Sequence, residues 1–111
     1  MQTIDYTDFI RIELKIGTII RAEYFEKARK PAYKIWVDLG DLGVKKSSAQ
    51  ITDHYTVESL IGKQVLCVCN FPPKQIADFS SEVLVTGFSD NEGKIVLASV
   101  DQPVPNGARL H

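Results

Sequence analysis

Between Lys27 and Lys46 the chain gathers six cations, Lys27, Arg29, Lys30, Lys34, Lys45 and Lys46, against Asp38 and Asp41 only, a local charge of +4 where the whole formal net charge is −1. The remaining residues then carry −5, so charge is segregated along the sequence. A near-neutral total exerts no overall pull on nucleic acid, and phosphate binding would have to come from a local patch of this kind. The same lysines also read as the solvated face of a loop and two strands. Asp53, His54, Ser47 and Ser48 can be drawn as a hydrolase triad, but no nucleophile-elbow pattern surrounds either serine and His54 falls in a turn ahead of a helix. His54 and His111 are too far apart, with no clustered cysteines, to form a recognisable coordination set. Cys67 and Cys69, one residue apart in an apolar run, read as strand thiols. Positions i and i+2 of a strand lie about 6.5 to 7 Å apart, beyond comfortable disulfide geometry. No catalytic residue, metal ligand or cofactor is therefore expected.

Whatever these side chains do, strands must position them. Ile10, Ile12, Leu14 and Ile16 alternate with Arg11, Glu13, Lys15 and Gly17, the period-two pattern of a half-buried strand, which runs on toward Phe25. Gly17 in its middle predicts a bend or bulge, and Asp5 to Phe9 ahead of it a helical turn. Tyr33, Ile35, Val37 and Leu39 alternate with Lys34, Trp36 and Asp38 in a second strand, which puts Trp36 on the polar face as a contact surface or beneath another part of the fold. Lys45 to Thr52 is a third strand. Val57, Leu60 and Ile61 fall at helical spacing, with Thr56 as N-cap and Gly62 as the stop. Val65 to Phe71 is apolar on both faces, as in a buried strand, and ends at Pro72 and Pro73. Lys74 to Ser80 reads as a connector. Glu82 to Phe88 and Lys94 to Val100 read as a hairpin around Asp90 to Gly93. The tail, with Pro105 and Asn106-Gly107, turns and adds an edge strand.

The 111 residues fit one domain. At 44% hydrophobic and 24% charged residues the composition is that of an ordinary soluble globular protein. No apolar run approaches the roughly 20 residues that span a bilayer, and Met1 to Asp8 carries no signal-like region. Membrane insertion is not expected, and the cytoplasm is the expected location.

Four blocks, A-R-K-P-A-Y-K from Ala28, K-K-S-S-A-Q-I-T from Lys45, N-F-P-P-K-Q-I-A from Asn70 and V-P-N-G-A-R from Val104, resemble the CsaA branch of the tRNA-binding-domain family, in that order and at the family's spacing. The resemblance covers nearly the whole sequence. It implies an all-β fold: a single OB-type five-stranded Greek-key barrel with a short helix between strands 3 and 4 and flanking dimerisation elements. Asn70, Pro73 and Lys74 match the family's asparagine, proline and basic position after the fourth strand, and Ser81 matches the serine that opens the fifth. The sequence departs from the tRNA-binding members in two places. Ser81 is followed by Glu82, Val83 and Leu84 instead of a glycine-methionine pair, and Glu26 to Pro31 replace a histidine-proline turn.

The resemblance implies a binding protein rather than an enzyme, with two partner classes. For tRNA or structured RNA the expected contacts are Lys30, Lys34, Lys45, Lys46, Ser47, Gln50, Asn70, Pro73, Lys74 and Ser81, the cations meeting phosphates and the polar groups donating or accepting hydrogen bonds. For unfolded or export-destined polypeptides, a chaperone-like role, the expected contacts are Tyr33, Trp36, Phe71, Ile76 and Phe79, since extended peptides are held by apolar burial and edge-strand pairing. Core packing explains each of these apolar residues as well, and turn capping explains Asn70 and Pro73. A homodimer is expected, built on Thr3 to Phe9 and Val104 to His111, because dimerisation covers exposed edges.

Overall fold

The structure, a computed structural model, describes all residues from Met1 to His111. In sequence order its elements are α1 (Tyr6–Ile10), β1 (Leu14–Tyr24), β2 (Tyr33–Asp38), a 3-10 turn (Gly40–Leu42), β3 (Val44–Ala49), α2 (Val57–Leu60), β4 (Gln64–Val68), β5 (Lys74–Ile76), β6 (Phe79–Ser81), β7 (Leu84–Val85), β8 (Gly87–Ser89) and β9 (Ile95–Leu97). The main sheet is antiparallel in the order β3-β2-β1-β4-β7. Strands β1 to β3 form a meander, and the chain then returns through α2 to lay β4 on the other side of β1. This is a Greek-key connection, and curling β7 back toward β3 gives the five-stranded OB-type barrel.

Local chemistry explains most of these elements. Along β2, Tyr33, Ile35 and Val37 are buried while Lys34, Trp36 and Asp38 are only half-buried, the alternation of a strand with one face on the core. Helix α2 starts where the Thr56 hydroxyl accepts a hydrogen bond from the Ser59 N–H at 3.0 Å, and the backbone turns out of it at Gly62, whose φ is 90°. Between the strands Ile19, Ile35, Val37, Leu39, Leu60, Val65 and Cys67 are fully buried. Each large apolar side chain among them contributes about 1.5–3 kcal/mol by leaving water. Burial also pushes the Cys67 thiol up to about 12, with the neighbouring Cys69 adding to the shift.

The barrel closes along one short stretch between β3 and the residues that follow β6. The Glu82 N–H donates to the Lys46 carbonyl at 2.8 Å, the Lys46 N–H returns a bond to the Glu82 carboxylate at 3.0 Å, and the Ser48 N–H donates to the Ser81 hydroxyl at 3.0 Å.

Four expectations are corrected. The first strand begins at Leu14, not Ile10. Ile10 and Ile12 are exposed, because nothing covers that face of the alternation, and Tyr6–Ile10 instead forms α1, held at its start by the Asp5 N–H on the Asp8 carboxylate at 3.2 Å. The irregularity in β1 falls between Ile19 and Arg21 rather than at Gly17. Gly17 is required for a different reason: a Cβ there would lie 2.4 Å from Val37 Cγ1 and 2.7 Å from the Asp38 carbonyl oxygen. The connector from Lys74 is a second hairpin, β5 with β6, turned by Ala77 at a φ of 52°. Finally, Glu82 to Phe88 is not one strand. It divides into β7, paired with β4, and β8, paired with β9 around the expected turn. The tail runs along the start of β1, with the Leu110 N–H on the Leu14 carbonyl at 2.8 Å and the Ile16 N–H on the Ala108 carbonyl at 2.9 Å.

Candidate functional site

Register brings together basic residues that are distant in sequence. Lys74 pairs with Ser81 across the β5–β6 hairpin, the Ser81 hydroxyl binds the Ser48 N–H, and Ser48 pairs with Lys34 between β3 and β2. One row across four strands therefore reads Lys74, Ser81, Ser48, Lys34. The next row reads Lys46, Trp36, Arg21 across β3, β2 and β1. The Lys34 and Lys46 ammonium groups converge on the buried ring of Phe79, 5.3 and 5.1 Å from its centroid, and Lys34 also stands 4.9 Å over Phe25. The Arg21 guanidinium lies 4.3 Å over Trp36 and forms an ion pair with Glu23.

Beneath these cations is a small satellite core of Phe25, Ala32 and Phe79, with Ala28, Trp36 and Ile76 packed on it. Phe79 meets Phe25 and Trp36 edge-on at 5.4 and 6.0 Å. Electron-rich ring faces steady the ammonium groups while leaving their N–H donors to solvent or a ligand. None of Lys30, Lys34, Lys45, Lys46 and Lys74 is paired with a carboxylate. Lys27 differs: its bond to Asp78 at 2.7 Å raises its pKa and lowers that of Asp78, and ties the β1–β2 loop to the β5–β6 turn.

Beside the Lys74 end of this row the barrel wall opens into a cleft of about 810 Å³. Of the residues expected to meet RNA, Lys30, Ser47, Gln50, Lys74 and Ser81 line it. Of those expected to meet polypeptide, Phe71 and Ile76 line it too. The two expected surfaces thus share one opening.

Other expected contacts are placed elsewhere. Tyr33 is 8% exposed and donates its hydroxyl to the Tyr55 carbonyl at 2.6 Å; it belongs to the core, as does Phe79 at 5%. Trp36 is half-buried under Arg21. Lys45 pairs with Val37 and so alternates away from Lys46 and its row. Ser47 is 1% exposed, which keeps its hydroxyl at the cleft floor. Pro73 is exposed on the approach to Lys74. Asn70 uses both ends of its amide on the segment before β1, accepting from the Glu13 N–H at 2.9 Å and donating to the Arg11 carbonyl at 2.8 Å. This is a clamp that joins the end of β4 to the N-terminal segment.

The triad drawing has no counterpart. His54 Nε2 lies 2.7 Å from the Asp90 carboxylate, and the Ser47 and Ser48 hydroxyls have no histidine partner. The His54 bond, followed by the N–H groups of Lys94 and Glu92, holds the Asp90 carboxyl below its ordinary value.

Two functional features escaped the sequence reading. Arg21 joins the basic rows only because the irregularity after Ile19 sets its register opposite Trp36. Glu82, an acidic residue at the expected site, has its carboxylate engaged by a backbone N–H. Strict alternation from buried Ile19 would turn Arg21 inward, so nothing local signals either feature.

Residues 14–109 match the family model described as "Putative tRNA binding domain". Among solved structures, the chaperone CsaA from Bacillus anthracis is 45% identical with a TM-score of 0.93, and the match covers 99% of the present sequence and 100% of that protein. The CsaA chaperone protein from Picrophilus torridus is 44% identical with a TM-score of 0.91, covering 98% and 100%. Among curated proteins, the methionine–tRNA ligase of Methanocaldococcus jannaschii is 32% identical over 110 residues, 99% of the present sequence. The match spans only 17% of that enzyme.

Proposed function

This chain belongs to the tRNA-binding-domain family, in its CsaA-type branch, and from that premise we propose that it binds tRNA or structured RNA without catalysing a reaction. The observation that carries the reading is the row Lys74, Ser81, Ser48, Lys34 with Lys46 beside it, a band of unpaired ammonium groups interleaved with hydroxyls on one side of the barrel. Phosphates of a folded RNA present charge at intervals along a rigid backbone. Cations held on strands meet them at low entropic cost, and each displaces a condensed counterion. The acids that border the band are engaged, Glu23 beside Lys34 by Arg21 and Glu82 by the Lys46 N–H, so a protein of net charge −1 still offers a binding surface. The test is tRNA binding by fluorescence anisotropy across a salt series. Steep weakening with salt, reduced in Lys34→Ala and Lys74→Ala variants, is expected; equal binding by the variants would remove the band from the site.

A second reading rests on Phe71, 55% exposed beside the cleft. Two of the similar structures bear the name chaperone, and the proposal extends to this protein the capture of unfolded or export-destined polypeptide in the cytoplasm, a chaperone-like role. The alternative within it is polypeptide binding with no physiological RNA partner. Side-by-side titration of tRNA and an unfolded model polypeptide separates the two, with Trp36→Ala reporting on the aromatic cluster.

The assembly proposed is a homodimer. Helix α1 buries none of its residues, and Tyr6, Ile10 and Leu110 expose 69%, 44% and 43% of their surface around a hollow at the joined N- and C-terminal segments, with Ile4 exposed just ahead of the helix. A second copy seated there would cover this apolar surface.

A further inference from the structure

The cleft is an incomplete seam in the barrel. Between β3 and the segment leading into β7, hydrogen bonds run through Lys46 with Glu82 and reach Ser48 only by way of a side chain, the Ser81 hydroxyl. They go no further. Gln50 on one wall and Val83 on the other make no hydrogen bond through either the backbone N–H or the backbone carbonyl. Both line the cleft. The floor between them is apolar, from Ile51, Val85 and Ile95, while Lys30 and Lys74 stand at the rim without carboxylate partners.

Two backbone edges facing each other across an apolar gap are the requirements of a strand. Strands pair at about 4.8 Å, so a gap about twice that width takes one extended polypeptide, bonded on both sides and offering alternate side chains to the floor. Nucleic acid fits this geometry poorly, because its backbone has no N–H to give the carbonyls and its phosphates gain nothing from an apolar floor.

We propose that this seam accepts an extended polypeptide as an added strand, pairing with the backbone at Gln50 and Val83, with apolar side chains directed inward and an acidic residue beside them meeting Lys30 or Lys74. The inference rests on the polypeptide reading above for its class of ligand and adds the site and the mode of binding. Ser81 and Glu82 then have a defined role: they end the barrel's own ladder and leave the next rungs open.

The probe is a fluorescein-labelled ten-residue peptide with valine at alternate positions, serine between them and two glutamates at one end. It is compared with the same peptide carrying N-methyl groups on alternate residues, in both possible phases. Both methylated phases are expected to bind about tenfold or more weakly, since each removes every donor facing one of the two walls. Gln50→Pro is expected to weaken the parent peptide severalfold more than Gln50→Ala does, because only the proline removes a backbone donor. The methylated peptides leave the protein untouched and so keep the test valid if Gln50→Pro does not fold. If the parent and both methylated peptides bind alike, the seam is not the site although polypeptide binding stands. If no peptide binds, both readings fail. Stoichiometric displacement of the peptide by a short single-stranded RNA would place RNA in the seam and overturn the inference.

Discussion

The Glu82 carboxylate is bound to the backbone N–H of Lys46 at 3.0 Å, while the Glu82 N–H binds the Lys46 carbonyl at 2.8 Å. An acidic residue at the edge of a basic band is thereby engaged in closing the barrel rather than in repelling a ligand. Glu82→Ala strands the Lys46 N–H, and the expected loss is about 1–2 kcal/mol of folding stability by urea denaturation. Glu82→Gln keeps an oxygen acceptor and is expected to cost less than half as much while strengthening RNA binding. Weaker RNA binding by Glu82→Gln would mean that the carboxylate contacts the ligand.

Lys34→Ala and Lys46→Ala are each expected to lower the slope of log K against log salt by about 0.7–0.9, the value of one phosphate contact. Lys45→Ala, which faces away from the row, is expected to change the slope by much less. Similar effects at all three would show general charge attraction instead of a placed band.

Gly17→Ala puts a methyl group into Val37 and the Asp38 carbonyl. The cost expected is about 1–3 kcal/mol from overpacking, read as a lower Tm. Gly43→Ala is a useful contrast, since nothing lies within 4 Å of its added Cβ and only the positive φ of 89° opposes it.

The fold holds the Asp90 carboxyl below its ordinary value of 3.8, through His54 first and then the Lys94 and Glu92 N–H groups. As pH falls, the unfolded state therefore takes up this proton before the folded one does. The stability contributed is present in full above about pH 5 and is lost as pH falls through the lowered value. Acid titration of unfolding should show less loss below about pH 4 in Asp90→Asn than in the parent. That variant also frees the β8–β9 turn from His54, so native-state hydrogen exchange at Gly93 and Lys94 should quicken at neutral pH.

Tyr6→Ala combined with Ile10→Asp should convert the proposed dimer to monomer in sedimentation velocity and leave far-UV circular dichroism unchanged, because neither side chain is buried within the protomer. A parent protein that is already monomeric at micromolar concentration would overturn the assembly.

Much of this molecule was legible in the sequence, for a physical reason. Strand periodicity in Tyr33 to Leu39, the N-cap at Thr56 and the turn from Asp90 to Gly93 are set by neighbours a few residues apart, and each forms where expected. The four sequence blocks carried the family and with it the barrel. Local patterns misled where a covering layer was needed to give them meaning. Ile10 and Ile12 alternate as a strand would, but no other segment packs on them. Lys74 to Ser80 has the composition of a connector, yet Phe79 fits into the satellite core and fastens it as a hairpin.

The sequence by itself determined the strand at Tyr33 to Asp38 with its buried face, the short helix after Thr56 and the presence of excess positive charge between Lys27 and Lys46. Tertiary structure alone decided which of those charges stand together. Lys74, Lys34 and Lys46 are brought to one face through strand register, Arg21 joins them through an irregularity in β1, and the Asn70 amide is bonded to Arg11 and Glu13. Register and closure depend on hydrogen bonds between residues far apart in the sequence. No pattern within a short window encodes where the barrel's ladder stops, at Ser81, or the open seam that follows from it.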